Sequence, residues 1–295
     1  MSRLGIFVDR KTLSNAEQLS ALIHCRDVAE GMGHNVEFLF PVDINKIPKM
    51  DALFIRARTD PMNITYVAAR MADFHGIPVV DDSGSIQICG DKINMYSHLM
   101  KKNVSLPKTV FLSKNDLSVE RVSQLFDRLG TPLIVKEPST SFSLRVEKVT
   151  DIASFFRVAR RFIKMSDWIV VQQYVESTYD WRVGVLGGKL LYACKYTIPS
   201  VTFKIQASVN GHIVYCGVES VPETAVPPHV IQLGIDAADA IGNGLYGVDI
   251  KNNNGDACVI EVNDNPSLES GEDAHYPHVY ERIIDHLFSS VITFD

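Results

Sequence analysis

Apolar positions in the first ninety residues fall into short unbroken runs separated by stretches of helical spacing. Leu4-Gly5-Ile6-Phe7-Val8 is such a run, and a strand apolar on both sides suits the interior of a parallel sheet covered by helices. Further runs predict strands over 36–40, 52–56 and 77–80. After the first run, Ser14 and Glu17 stand at capping-box spacing, and Gly33 following Met32 suits the left-handed residue that ends a helix. A second helix is predicted over roughly 64–75. The alternation is that of a βαβα unit, which predicts a parallel-sheet domain.

A helix start follows at Gly90-Asp91-Lys92 and runs to about Lys101, with Pro107 ending the connection after it. From Thr131 the pattern turns to strands and hairpins, over 133–136, 145–149, 168–175, 181–186 and 189–196. Gly187-Gly188 between the last two is a two-residue hairpin signal, because the turns that fit there need positive φ. Helices over 152–164, 230–241 and 279–288 carry apolar residues at helical spacing. No internal repeat or low-complexity tract interrupts this mixed α+β region.

Composition narrows the function classes more than the fold. With 295 residues, 46% apolar and 22% charged, the chain suits two domains, or one with a lid, around a sizeable core. A net charge of -6 without a long lysine/arginine run argues against a nucleic-acid protein held by phosphate contacts, and leaves a small anionic ligand open. The five cysteines are scattered and form no C-x-x-C pair, as expected of buried thiols in a reducing compartment. No apolar run reaches the ~18 residues of a membrane span, and the first residues lack a signal-peptide core, so the expected location is cytoplasmic, away from membranes.

Candidate chemistry concentrates in YGVDIKNNNGDACVIEVNDNP, two alternating strands around a run of turn formers. With Gly255 at the centre of the turn, Asp249 falls opposite Glu261. Asn263 shares their face, and Val248, Ile250, Ile260 and Val262 fill the other. Opposed carboxylates repel, and a hard divalent cation such as magnesium offsets that cost. An acidic, solvated hairpin face has the same pattern, and register decides between the two. Lys136 ends the apolar strand Leu133-Ile134-Val135, where a buried ammonium requires an acceptor or an anion and an exposed one requires neither. Lys92 falls in the first turn of its helix, where unpaired N–H groups and the macrodipole attract anions, although a lone lysine there is most often a solvated surface residue. The stretch Pro138-Ser139-Thr140-Ser141-Phe142-Ser143 offers hydroxyls and N–H groups for covering phosphates, as any serine-rich loop does.

In order and spacing these segments resemble the ATP-grasp superfamily, most closely its RimK-like branch of carboxylate–amine ligases. The resemblance spans the chain and is strongest from Asp91 to Leu268: GDKINMYSHLMKKNVSLPKT, IVKEPS, IVVQQYVESTYDWRVGVLGGKLLYACK, GVDI and VIEVNDNPSLE carry it. It implies an α/β plus α+β protein of the ATP-grasp fold. A Rossmann-like N-terminal domain would span 1–90, a central lid subdomain 91–175, and a C-terminal subdomain with the metal site 176–295. It also implies that Lys92 and Lys136 contact ATP phosphates, that backbone groups of Gln173, Tyr174 and Val175 hold the adenine edge, and that Asp180 binds ribose. Arg182, Lys195 and Lys204 match positions where the family places cations facing phosphate or the acyl phosphate. Asp249, Glu261 and Asn263 match magnesium ligands, for two ions with manganese as a substitute. Arg56 and Arg58, in FIRARTD, resemble the position facing an acidic acceptor, and ion-paired surface arginines would read the same.

The activity implied is ADP-forming amide ligation through an acyl phosphate, joining a small-molecule or peptide carboxylate to an amine such as glutamate or another amino acid. A homo-oligomer is left open. A phosphotransferase acting on a hydroxyl and a catalytically weak nucleotide-binding protein are the alternatives. Two departures bear on them: Ser139 to Leu144 contains none of the glycines usual in that loop, and Gln206 stands where the family tends to have asparagine.

Overall fold

The computed structural model describes residues 1–140, 144–199, 206–209, 212–253 and 255–289, with the backbone alone over 206–209 and 212–215. Its first sheet is parallel, with β1 (Arg3–Phe7), β2 (Asn35–Leu39), β3 (Ala52–Ile55) and β4 (Val79–Val80) in the order β2-β1-β3-β4. The connections are α1 (Arg10–Leu13), α2 (Ala16–Gly31) and α3 (Ile64–Phe74). The expected Ser14 cap is corrected by one residue. The short α1 intervenes and ends at Ser14, so it is the Asn15 side chain that accepts the Gln18 N–H and starts α2. Gly33 closes that helix at φ +89°, as its position predicts.

Two helices lead out of this sheet, α4 (Ser83–Cys89) capped by Asp82 and α5 (Lys92–Lys101) capped by Asp91. The next sheet is antiparallel: β5 (Thr109–Ser113), β6 (Leu133–Lys136), β7 (Val146–Val149) and β8 (Trp168–Gln173) in the order β5-β8-β6-β7. One face packs α6 (Val119–Leu129) and α7 (Ile152–Phe162) through Val122, Leu125, Phe155 and Phe162. β5 and α6 are elements that apolar pattern alone does not predict.

The third sheet holds β9 (Tyr179–Leu186) and β10 (Lys189–Thr197), then, after the separate ribbon of β11 (Gln206–Val209) and β12 (His212–Tyr215), β13 (Gly217–Ser220), β14 (Leu245–Asn253) and β15 (Asp256–Asp264). Its order is β13-β10-β9-β14-β15. Helix α8 (Pro228–Ile241) covers one face by packing Val230 and Ala237 against Trp181, Val183, Val248 and Ile250, and α5 adds Met95, Tyr96 and Leu99 to the same core. A Cβ at Gly234 of α8 would stand 2.6 Å from Val183, so glycine sets how closely this helix approaches. Helix α9 (Val279–Ser289) returns to the first sheet, where Ile283, Ile284 and Leu287 join Leu4 and Ile6.

Two β-bulges decide which side chains face the open side of this sheet. The turn after β9 is the expected one, with Gly187 at φ +56° and Gly188 at +70°. Continued regularly, it would set Arg182 opposite Ala193 and Lys195 on Arg182's face. The ladder instead slips between Leu190 and Tyr192, so Arg182 pairs with Cys194, and Lys195 pairs with Trp181. The second slip lies in the C-terminal hairpin, whose strands close at Asn253 opposite Asp256 rather than symmetrically about Gly255. From that turn a regular ladder would bring Ile260 to Asp249; the irregularity between Asp249 and Ile250 brings Glu261 there. The predicted opposition of Asp249 and Glu261 therefore holds, for a different reason, and Val259 takes the core place expected of Ile260.

Candidate functional site

The open face of the third sheet carries two neighbouring rows of polar side chains. In the central row, Asp249 is flanked by Arg182 on β9 and Glu261 on β15. Arg182 Nε donates to Asp249 Oδ1 at 2.6 Å and its Nη2 to Oδ2 at 3.1 Å, the two-pronged geometry that a guanidinium offers a carboxylate. Both are buried. Burial raises the Asp249 carboxyl above its usual range, and the charge and hydrogen bonds of Arg182 oppose that rise. Asn263 Nδ2 donates to Asp249 Oδ2 and to the Gly247 carbonyl, both at 3.2 Å. Gly247 leaves the space that Arg182 fills, since a Cβ there would lie 2.8 Å from its Nη1.

The second sheet and α5 close over this row. Lys92, buried at the start of α5, places Nζ 3.4 Å from Glu261 Oε1 and also donates to the Thr140 carbonyl, while its amide donates to Pro138 O at 3.0 Å. Ser139 Oγ donates to Asp91 Oδ2 at 3.1 Å, so the described start of the glycine-free loop is tied to the helix start. Its residues 141–143 lie outside the described residues. Lys136 is buried as well. Its Nζ donates to Tyr96 Oη at 2.7 Å, and that hydroxyl donates onward to the Ile260 carbonyl at 2.6 Å. Burial pushes the Lys136 ammonium down to about 8, and the charges of Glu261, Asp249 and Asp180 act against the fall.

A neighbouring row holds Asp180, whose Oδ1 accepts from Lys251 Nζ at 2.6 Å and from Ser177 Oγ at 2.8 Å. Gln173, Tyr174 and Val175 form the half-buried exit from β8 just before it, and Gln173 N donates to Lys108 O at 2.9 Å. Lys251 is absent from the residues that sequence reasoning singles out. Alternation was the available signal, since it stands two residues after Asp249 on one strand.

Lys195 departs from expectation. The β10 bulge turns it to the opposite face, where its ammonium lies over the rings of Tyr179 and Trp181, 5.1 Å from each centroid. Tyr196 takes the open face in its place, its ring 5.0 Å from the Arg182 guanidinium and its hydroxyl donating to the buried Glu272 at 3.2 Å. No local pattern announces either partner. Lys204 lies outside the described residues, and of Gln206 only the backbone in β11 is described. Arg56 is engaged rather than free: it donates to Asn265 Oδ1 at 2.6 Å and Pro266 O at 3.0 Å, and reaches Glu269 at 3.4 Å, joining the first sheet to the segment after β15. Arg58 is half exposed, with Asp60 at 3.9 Å. Also unforeseen are Asp81, fully buried, and Asp264, half-buried, at the same junction. Burial raises both carboxyls, that of Asp264 to about 7.

The donor set suits magnesium. Asp249, Glu261 and the Asn263 amide offer hard oxygens on one face, and magnesium takes few protein ligands and fills its octahedron from phosphate and water. No group of three or more histidine, cysteine or acidic side chains within metal-holding reach occurs among the described residues, so the set is two carboxylates and one amide. The Asn263 amide would present its oxygen by turning about its terminal bond.

Comparison with known proteins supplies the family and the fold. Residues 89–287 match the model of the RimK-like ATP-grasp domain. The chain is 24% identical over 291 residues to a probable alpha-L-glutamate ligase 2 of Pseudoalteromonas atlantica, covering 92% of this chain and 93% of that protein. It is 26% identical over 280 residues to a probable alpha-L-glutamate ligase of Shewanella loihica, covering 89% of each. Among solved structures it is similar to a D-alanine–D-alanine ligase from Bacillus anthracis, with TM-score 0.73 and 17% identity over 98% of this chain and 97% of that one. It is also similar to a RimK domain ATP-grasp protein from Sphaerobacter thermophilus, with TM-score 0.71 and 18% identity over 97% and 99%. The three sheets are therefore those of the ATP-grasp fold. Among the described residues no helix is long and apolar enough to cross a membrane.

Proposed function

Because the chain belongs to the RimK-like ATP-grasp family, we propose that it is an ADP-forming carboxylate–amine ligase, using ATP and magnesium to make an amide through an acyl phosphate. The observation that carries this reading is the central row: two opposed carboxylates, with Arg182, Lys92 and Lys136 gathered around them from two sheets and a helix. Lys92 and Lys136 are assigned to the ATP phosphates, the 173–175 segment to the adenine edge, and Asp180 to ribose. Arg182 is assigned to charge developing at the transferred phosphoryl group. Asp249, Glu261 and Asn263 would hold magnesium, which neutralises phosphate charge when bound. The chemistry needs positioning and charge neutralisation rather than a protein nucleophile. Burial raises the Cys194 thiol and takes the Cys258 thiol to about 11, which keeps both protonated near neutrality.

Glutamate or another amino acid is the proposed amine, supported by relatives named as alpha-L-glutamate ligases. The proposed acceptor is a carboxylate on a small molecule or peptide. Incubation with ATP, magnesium, candidate acceptors and hydroxylamine tests the reading. ADP with a hydroxamate is the expected result; a phosphorylated acceptor without hydroxamate would assign a phosphotransferase instead, and ATP binding without ADP a protein that only binds nucleotide.

A further inference from the structure

Each carboxylate of the central row already has a cation of the chain beside it, Arg182 on Asp249 and Lys92 near Glu261. We propose that these two cations compete with divalent metal for the carboxylates, so that metal binds tightly only together with ATP, whose phosphates take the cations over. The proposal rests on the ligase reading of the same site.

Charge balance carries it. Asp249 with Arg182 and Glu261 with Lys92 form two neutral pairs, so a bare divalent ion would bring two uncompensated positive charges into a largely enclosed site. The same ion carried by triphosphate brings net negative charge, and Lys92, Arg182 and Lys136 can turn to that charge as the carboxylates turn to the metal. Geometry permits the exchange at Lys92 first: its 3.4 Å approach to Glu261 is longer than the Arg182 bond to Asp249, and Glu261 is the more exposed carboxylate. Lys136, bound to the Tyr96 hydroxyl and to no carboxylate, remains a cation for phosphate throughout. Both carboxylates and both cations thus stay satisfied before and after the exchange, which is why the opposed acids are tolerated in the fold.

Manganese, followed by its paramagnetic resonance signal, is the probe, titrated into the nucleotide-free protein and into protein with a non-hydrolysable ATP analogue. The wild type should bind manganese at least tenfold more weakly without the analogue than with it. Lys92→Met should tighten manganese alone by about fivefold to tenfold while weakening the analogue, and Lys92→Arg should restore the wild-type order. Glu261→Gln should weaken manganese in every background. If Lys92→Met does not fold by circular dichroism, Lys92→Gln, which keeps a polar tip for the Thr140 carbonyl, serves in its place. Equal manganese affinity with and without nucleotide in the wild type overturns the proposal, as does unchanged or weaker manganese binding in the Lys92 variant. Failure of the wild type to bind the analogue at all, with metal present, overturns the ligase reading and this proposal with it.

Discussion

The two faces of the third sheet are built from the same strands yet do opposite work. One is filled by Trp181, Val183, Val248 and Ile250 under α8; the other carries Asp180, Arg182, Asp249, Lys251 and Glu261 toward the second sheet. Strand residues alternate, so a slip of one position exchanges a residue between these worlds. Two bulges use that property. One brings Glu261 out to Asp249, and the other removes Lys195 from the polar face and puts Tyr196 beside Arg182. Identity of a side chain near a motif is therefore a poor guide to its role; the face it occupies is the better one.

The comparison of faces breaks most visibly at the central row. Glu261→Gln and Asp249→Asn should each lower magnesium-dependent ATP turnover on the order of 100-fold or more, with the fold preserved by circular dichroism. Comparable turnover in both variants would return the hairpin to an ordinary acidic surface. Asp249→Asn also leaves the buried Arg182 without its carboxylate, so its denaturation midpoint should drop further than that of Glu261→Gln.

Lys136 comes next. Its buried ammonium loses its proton near pH 8 in the protein without nucleotide, against an ordinary value of 10.5. Only the protonated form attracts phosphate, so ATP affinity should fall as pH rises past about 8, and Lys136→Met should remove that decline along with roughly tenfold or more of the affinity. The sign for stability is opposite: between about 8 and 10.5 the unfolded chain holds more protons than the folded one, so stability rises with pH in that window. Affinity and denaturation measured across pH 7 to 10.5 in buffers of one ionic strength separate the two.

Paired glycines sharpen the contrast between faces. A Cβ at Gly184 would meet the Tyr192 ring at 2.2 Å on the polar face, and one at Gly234 would meet Val183 at 2.6 Å beneath α8. Alanine at either position should cost about 1–3 kcal/mol in denaturant unfolding. Only Gly184→Ala should also alter nucleotide affinity, because Gly184 and its partner Tyr192 lie next to the pair of Arg182 and Asp249 on the same face. The smallest effect belongs to Lys195→Met, which should change ATP affinity by less than about twofold because its ammonium rests over Tyr179 and Trp181 on the far face. A large loss there would contradict the β10 register.

Local physics made much of this molecule legible in its sequence. Apolar runs, helical spacing, the Gly187-Gly188 turn and the αL residue Gly33 are decided by neighbours a few residues apart, and the first sheet, the later hairpins and most helices follow from them. So does the clustering of acids on the last hairpin. What tertiary structure alone decided is which of these groups meet. Lys92 reaches Glu261 across 169 positions of chain, Lys251 reaches Asp180, and Tyr196 reaches Glu272 through packing of separate elements. The bulges belong to the same class: an extra residue in a ladder costs little locally, and it persists because the sheet must bury one face under α8 while turning charges to the other.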